Sequence, residues 1–398
     1  MAKVLVYQMY PLAWPNLSSM TKHLHRIAKL GVDYVWLNPI YPSPRFDHGY
    51  DISDHMAVDP RIGSAWNLDY FVDTAHNLGI KVIVDLVLNH TSTQHPWFRT
   101  HPEFYCWSSW SQGGWTNLFN HGSAWRYRSA NGRYYLHLFH PEEADLNWFP
   151  DGQLSKPLLK RFRKIINYWL SEHDIDGFRL DFPQALNKNL DLERCDLDSL
   201  LYGDRAVEVI QALFPKDTKK PFLMMECFDP SFGDIVRQYI KSTPVDYVVN
   251  TAIKTSVDFG LDVFLGNAAK SELQHGLMLE TESHDSPRFP SVSGLPPETA
   301  LWCLFNSRAQ AIRLYQGQEM GLKNPSHKEL SDNQLLELDA ITKMRFDVGE
   351  DLSLLRLRSR ANARVPLNLS VYDRQMNSPS SYFNYTRELI ARWRAIRV

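Results

Sequence analysis

Three acids stand where apolar runs end. Asp181 closes Gly177-Phe178-Arg179-Leu180-Asp181, Glu226 follows Phe222–Met225, and Asp285 ends Glu282-Ser283-His284-Asp285. A carboxylate at the end of a buried run is costly unless it meets a partner or performs chemistry. If the three runs are parallel strands, all three acids gather at one mouth of the sheet. Acids brought together in this way can divide into a nucleophile and a proton donor. Buried ion pairs are the plain alternative for any one of them, and Arg179 is an obvious partner for Asp181. A metal cluster of His90, Asp181, Glu226 and Asp285 is a third option. No close His-x-x-x-His or His-x-His pair supports it, so no metal is expected.

The elements that must position these acids alternate along the chain. Short β-branched or apolar runs fall at Val4–Tyr7, Tyr34–Leu37, Val82–Val87, Gly177–Leu180, Phe222–Met225, Tyr247–Val249, Leu277–Leu279 and Ile312–Tyr315. Amphipathic patterns separate most of them, at Leu17–Leu30, Trp66–Leu78, Leu158–Leu170 and Ala206–Phe214, and Ser381–Ile396 follows the last strand. Asn16 precedes the first as a cap, and Gly31 and Gly79 stop the first two. Eight strand–helix repeats predict an α/β fold, a closed (β/α)8 barrel.

One connection breaks the rhythm. Between Thr91 and Trp148 there is no long helical pattern, but there are six Trp, an Asn131-Gly132 turn signal and the strand-like Tyr134–Phe139. A stretch this long predicts a small inserted domain over residues 91–148, overhanging the mouth of a barrel built from 1–90 and 149–398. A second long segment, Gly321–Pro379, is polar and carries Arg356, Arg358, Arg360 and Arg364.

Composition narrows the partners. A net charge of −2 gives no global field for nucleic acid or an anionic membrane. The N-terminal stretch does not read as a signal peptide, and no apolar run reaches the roughly 18 residues of a membrane span. Cys106, Cys195, Cys227 and Cys303 are widely spaced. A reduced, cytoplasmic protein without a cofactor is expected. The 12 Trp and 18 Tyr suit stacking on pyranose rings, although any single one serves a core equally well.

Five motifs in order carry a resemblance over essentially the whole chain. Asp85-Leu86-Val87-Leu88-Asn89-His90, Gly177–Asp181, Glu226 with Phe228, and His284-Asp285 resemble the four signatures of the α-amylase family of glycoside hydrolases. Asp145-Leu146-Asn147-Trp148 is similar to the motif near the end of that family's inserted domain. Asp47–Asp54 and Arg360–Pro366 look most like the oligo-1,6-glucosidase and α-glucosidase branch. The resemblance implies Asp181 as nucleophile, Glu226 as general acid/base and Asp285 as the group that fixes sugar hydroxyls. It implies His90 and His284 as neutral donors to the −1 glucose and Tyr50 as a platform beneath it. Asp47 with Arg364 would grip the non-reducing end and make the enzyme exo-acting. Arg179 is expected to keep Asp181 ionised, and the neighbouring carboxylates to keep Glu226 protonated.

The implied function is a retaining α-glucosidase acting on short α-glucosides through a covalent glycosyl intermediate. The alternative is a transglycosylase or sugar isomerase, and more remote is a non-catalytic barrel subunit. Three departures stand out. The loop Tyr10–Leu17 lacks the Asp/Asn/Gly-rich calcium loop of many relatives, and Asn89 is expected to brace the inserted domain instead. Phe182 follows the nucleophile where relatives carry a smaller residue. No C-terminal β-sandwich domain is expected after the last barrel helix.

Overall fold

The computed structural model describes residues 3–119, 121–215, 221–231, 233–255, 266, 275–325, 360–367 and 370–396. Arg356 and Arg358 lie outside them. Eight parallel strands close a barrel: β1 (Val4–Met9), β2 (Tyr34–Leu37), β3 (Lys81–Val87), β4 (Gly177–Asp181), β5 (Phe222–Cys227), β6 (Tyr247–Asn250), β7 (Leu277–Leu279) and β8 (Ala311–Tyr315). Each strand pairs with its neighbours in sequence, and β8 closes on β1 with Val4 opposite Ala311. Helices pack outside: α1 (Leu17–Ile27), α2 (Ala65–Asn77), α3 (Lys156–Glu172), α4 (Asp204–Leu213), α5 (Asp234–Ser242), α6 (Pro297–Phe305) and α7 (Tyr382–Ala395). Their starts follow local chemistry. Asn16, Ser64, Ser155 and Ser381 each accept a backbone N–H of the first turn of α1, α2, α3 and α7.

The strands are buried on both faces, as a parallel barrel requires. Alternate residues point inward, and the inner wall changes character along the barrel axis. Val6, Trp36, Ile83, Met224, Val249, Met278 and Ala311 form one apolar cluster inside the barrel. On β4 the matching position is Gly177, where a Cβ would stand 2.1 Å from the Phe222 carbonyl oxygen. Two residues further along each strand the inward positions become Gln8, Asn38, Asp85, Arg179, Glu226, Thr251, Glu280 and Arg313. The floor is therefore apolar and the mouth is charged.

Residues between β3 and α3 carry their own small sheets. Strands 90–92 and 143–145 pair antiparallel, and 125–128 pairs with 133–136, which also takes 107–108. Gly132, at φ 66°, makes the turn that Asn131-Gly132 announced. Trp115, Trp125, Leu136 and Leu138 belong to a second apolar cluster, separate from the barrel core. Trp115 Nε1 donates to Leu192 O at 3.0 Å, tying this region to the loop after β4.

Candidate active site

Arg179 organises the charged mouth. On β4 it points inward beside β3 and β5, where Arg179 is level with Asp85 and with Met224. Its Nη1 donates to Asp85 Oδ1 at 2.9 Å and to Asp181, and its Nη2 donates to Glu226 Oε2 at 2.5 Å. One guanidinium thus clasps both expected catalytic acids, one on each terminal nitrogen. Asp181 is buried and Glu226 partly open to the cleft.

Burial raises the Asp181 pKa above its ordinary value, and Arg179 and His90 pull it down without fully cancelling that rise. Arg179 thus acts toward the ionised form, as a cation beside a carboxylate must, while desolvation acts against it. Asp85, fully buried, is lifted by burial to about 7 against the same arginine.

The third acid sits in a different field. Burial works to raise Asp285, but His284, Arg364 and Arg360 overcome it and hold the carboxyl well below the usual range. His284 Nε2 lies 2.8 Å from Asp285 Oδ2 and 2.7 Å from Tyr50 Oη. Gln8 Nε2 donates to His284 Nδ1 at 2.7 Å, which places the ring proton on Nε2. Burial pushes the His284 pKa down to about 3, so the ring is neutral. Tyr50 is buried, its ring stacked on His284 at 5.3 Å between centroids. Asn38 Nδ2 donates to its hydroxyl at 2.8 Å, and that hydroxyl donates to Asp85 Oδ2 at 3.3 Å.

His90 departs from the expected neutral donor. Its Nε2 lies 3.3 Å from Oε1 of Glu143, a carboxylate with no exposed surface. Burial works against the imidazolium, but Glu143 wins and raises His90 to about 9. In Glu143 itself burial wins over His90, giving about 7. Asn89 Nδ2, 3.3 Å from His90 Nδ1, would suit a neutral ring. The ion pair governs, because a buried charge attracts more strongly than one long amide hydrogen bond holds. Glu143 reaches His90 through the antiparallel pair in which His90 stands opposite Asp145.

Asp47 and Arg364 are brought together at 3.8 Å, yet Arg360 is the closer partner of Asp47. Arg360 Nη1 also donates to Asp285 Oδ1 at 3.1 Å, and Arg364 Nη2 donates to the same oxygen at 2.6 Å. The two arginines therefore bridge Asp47 and Asp285 as one network. The three-to-four spacing of Arg360 and Arg364 was a readable sign that both could reach one place.

Asn89 braces the region after β3 through Asp145, donating to Oδ1 at 3.0 Å. Lys188 Nζ donates to Asn89 Oδ1 at 2.5 Å and lies 3.3 Å from Asp145 Oδ2. An ammonium thus occupies this oxygen cluster, a role that the sequence reading did not give to Lys188. Among the described residues no group of three or more His, Cys, Asp or Glu is arranged to hold a metal. Phe182 sits at φ 27° next to Asp181, its ring edge-on to Phe139 at 5.9 Å.

Residues 13–212 match the alpha-amylase family model described as "Alpha amylase, catalytic domain". A trehalose-6-phosphate hydrolase of Escherichia coli is 30% identical over 92% of this chain and 74% of its own length. The chain belongs to the alpha-amylase family. It is a glycoside hydrolase of the branch that holds oligo-1,6-glucosidases. One of these, from Parageobacillus thermoglucosidasius, is 34% identical over 92% of this chain and 74% of its own length. Among solved structures, a Bacillus licheniformis trehalose-6-phosphate hydrolase superposes with a TM-score of 0.85 at 25% identity, covering 99% of this chain and 84% of its own. A trehalulose synthase shares the fold at a TM-score of 0.85 and 22% identity, covering 99% of this chain and 84% of its own.

Proposed function

We propose that this family member is an exo-acting, retaining α-glucosidase that cleaves short α-glucosides. The observation that carries the reading is the single guanidinium of Arg179 holding Asp181 and Glu226 to one cleft. Retaining glycosidases need their two carboxyl groups only ~5–5.5 Å apart. In this reading Asp181 attacks the anomeric carbon while Glu226 protonates the leaving oxygen. A β-linked glycosyl-Asp181 ester forms, and the leaving sugar departs as an alcohol. Glu226, now ionised, takes a proton from water as the water displaces Asp181, and the free sugar keeps its α configuration. Asp285, ionised by its arginines, accepts hydrogen bonds from sugar hydroxyls. His284 donates through Nε2, and His90 supplies a positive charge beside the nucleophile. Tyr50 is the platform beneath the −1 ring.

Asp47, Arg360 and Arg364 supply an end wall to the pocket, which favours exo action on small substrates. Each of these arginines already meets a carboxylate, as does Arg179, and this pairing favours neutral glucosides over phosphorylated ones. Residues 91–148 act as the inserted domain that shapes the entrance. No helix of the described residues is long and apolar enough to cross a membrane. The four free, buried cysteines fit a reducing, cytoplasmic setting.

A second reading, glucosyl transfer, draws on Phe182 and Phe139, whose rings supply an apolar wall beside the nucleophile and disfavour water there. Products formed from maltose and isomaltose and resolved by NMR decide between the two. Free glucose as the main product is expected, with activity lost in Asp181→Asn. New glycosides exceeding glucose would select transfer, and no turnover across an α-glucoside panel would reject both.

A further inference from the structure

The charged mouth contains one ion pair that the proposed chemistry does not use. Arg313 on β8 and Glu280, the residue after β7, face inward and pair with each other. They are 3% and 2% exposed, and they border the same cavity as Glu226, Arg179, Ser283 and Asp285. Charges this deep must be desolvated, and a well-packed apolar pair of similar volume is often as stable or more so. The pair stands between β8 and β7, whereas Arg179 reaches Glu226 from β4 while also holding Asp181 and Asp85. Arg313 and Arg179 both lie over the Trp36 indole, at 4.8 and 5.0 Å from its centroid. Two guanidinium groups on one ring repel, and Asp85, Glu226 and Glu280 stand among them as counter-charges.

We propose that Glu280 and Arg313 are positioning residues that set the electrostatic field around Glu226, each biasing its protonation in the opposite sense to the other. The inference rests on Glu226 being the acid/base. A positive Arg313 favours the ionised carboxyl, and a negative Glu280 favours the protonated one, so the pair together nearly cancels. Burial, then the like charge of Arg179, brings Arg313 down to about 9, while Glu226 opposes that shift, so the two charges act on each other. Arg179 donates to Glu226 from β4 and also holds Asp181 and Asp85. Thr251 after β6, Glu280, Ser283, His284 and Asp285 after β7, and Arg313 from β8 line the same cavity as Glu226. Cys227 is its neighbour on β5. Removing either half of the pair leaves all the others in place, so the sign of the shift reports that half alone.

The test is kcat/KM for p-nitrophenyl α-D-glucoside against pH in the full chain. The alkaline limb reports loss of the acid's proton. Glu280→Gln is expected to move that limb down by about one pH unit, and Arg313→Met to move it up by about as much. Glu280→Gln/Arg313→Gln is expected to return it to within half a unit of wild type. KM is expected to change less than kcat. Shifts of the same sign in the two single variants, or no shift in Glu280→Gln, would overturn the proposal. If the single variants fail to fold, the neutral double variant decides, because an alkaline limb displaced by more than half a unit contradicts cancellation. Wild-type inactivity on this substrate would instead strike the glucosidase reading itself, which keeps the two failures apart.

Discussion

Arg179 carries three carboxylates on one planar group, and that geometry gives the most specific prediction at residue scale. A lysine keeps the charge but offers a point donor in place of a fork. Arg179→Lys is therefore expected to lower kcat by at least about 100-fold with a smaller change in KM, measured by steady-state kinetics. A loss confined to KM would mean that Arg179 only binds sugar. Arg360→Ala and Arg364→Ala are each expected to raise KM for maltose about 10-fold or more, since each removes one of the two cations that bridge Asp47 and Asp285. Unchanged KM in both would remove the closed end of the pocket. The acids of this site were legible because each belongs to a short local motif, at the ends of β4 and β5 for Asp181 and Glu226 and in the loop after β7 for Asp285. Arg360 was harder, because the family resemblance pointed to Arg364 as the partner of Asp47, and only the folded chain shows Arg360 closer to that acid. The charge on His90 was hidden for the same reason, as it comes from Glu143 across a three-residue ladder.

At the scale of elements, all eight strands lie where the apolar runs placed them, and the errors sit at their ends. The runs stopped before the acids, at Leu180 and Met225, but β4 and β5 include Asp181 and Glu226. An acid continues a strand when its backbone stays in the ladder, as Glu226 does opposite Val249, and its side chain finds a polar interior. Hydrophobicity alone cannot reveal that the interior turns polar. The first helix, read as Leu17–Leu30, is α-helical to Ile27 and tightens to a 3-10 turn over Ala28–Leu30 before Gly31 at φ 73°. Lys188, in the loop after β4, joins Asn89 after β3 to Asp145 at the end of the inserted sheets. Lys188→Met leaves the Asp145 charge buried without its cation, and a loss of about 3 kcal/mol in urea unfolding is expected. A loss below about 0.5 kcal/mol would show that the cation does not hold these elements together.

Among the described residues most shifted histidines and most shifted acids move in opposite senses, with His90 raised and Asp47 and Asp285 lowered among the exceptions. Among the described residues, His23, His48, His55, His95, His137, His140 and His284 are all held below the ordinary histidine range, chiefly by burial. Asp51, Asp85, Glu143, Asp181, Glu282 and Glu319 are held above the carboxylate range, again chiefly by burial. As pH falls below about 6.5, the unfolded chain gains protons on histidines that the folded chain refuses, which destabilises the fold. From about 7 downward the folded chain gains protons on Asp85, Glu143 and Glu319 before the unfolded chain does, which stabilises it, and Asp51, Asp181 and Glu282 act in the same direction. The two sets act against each other in that range, so the net slope is smaller than either set alone would give. Below about 4 the unfolded acids catch up and the histidines stand alone, joined by Asp47 and Asp285, which are held low by their arginines. Thermal midpoints are thus expected to stay nearly level from pH 7 to 4.5 and to fall steeply between 4 and 3. A steep fall already between 7 and 5 would show that the raised acids do not compensate. No sequence pattern foretold this balance, because it depends on which polar groups the barrel encloses.

The central claim is that Asp181 and Glu226 work across one narrow cleft through a glycosyl-enzyme ester. Proton NMR of the anomeric region during the first minutes of maltose cleavage tests it most directly. The account predicts that the glucose unit from the non-reducing side appears first as the α anomer, with the β anomer growing in only as mutarotation proceeds. If that unit appears first as the β anomer, a single inverting displacement by water operates, and the pairing of Asp181 with Glu226 as nucleophile and acid/base is wrong.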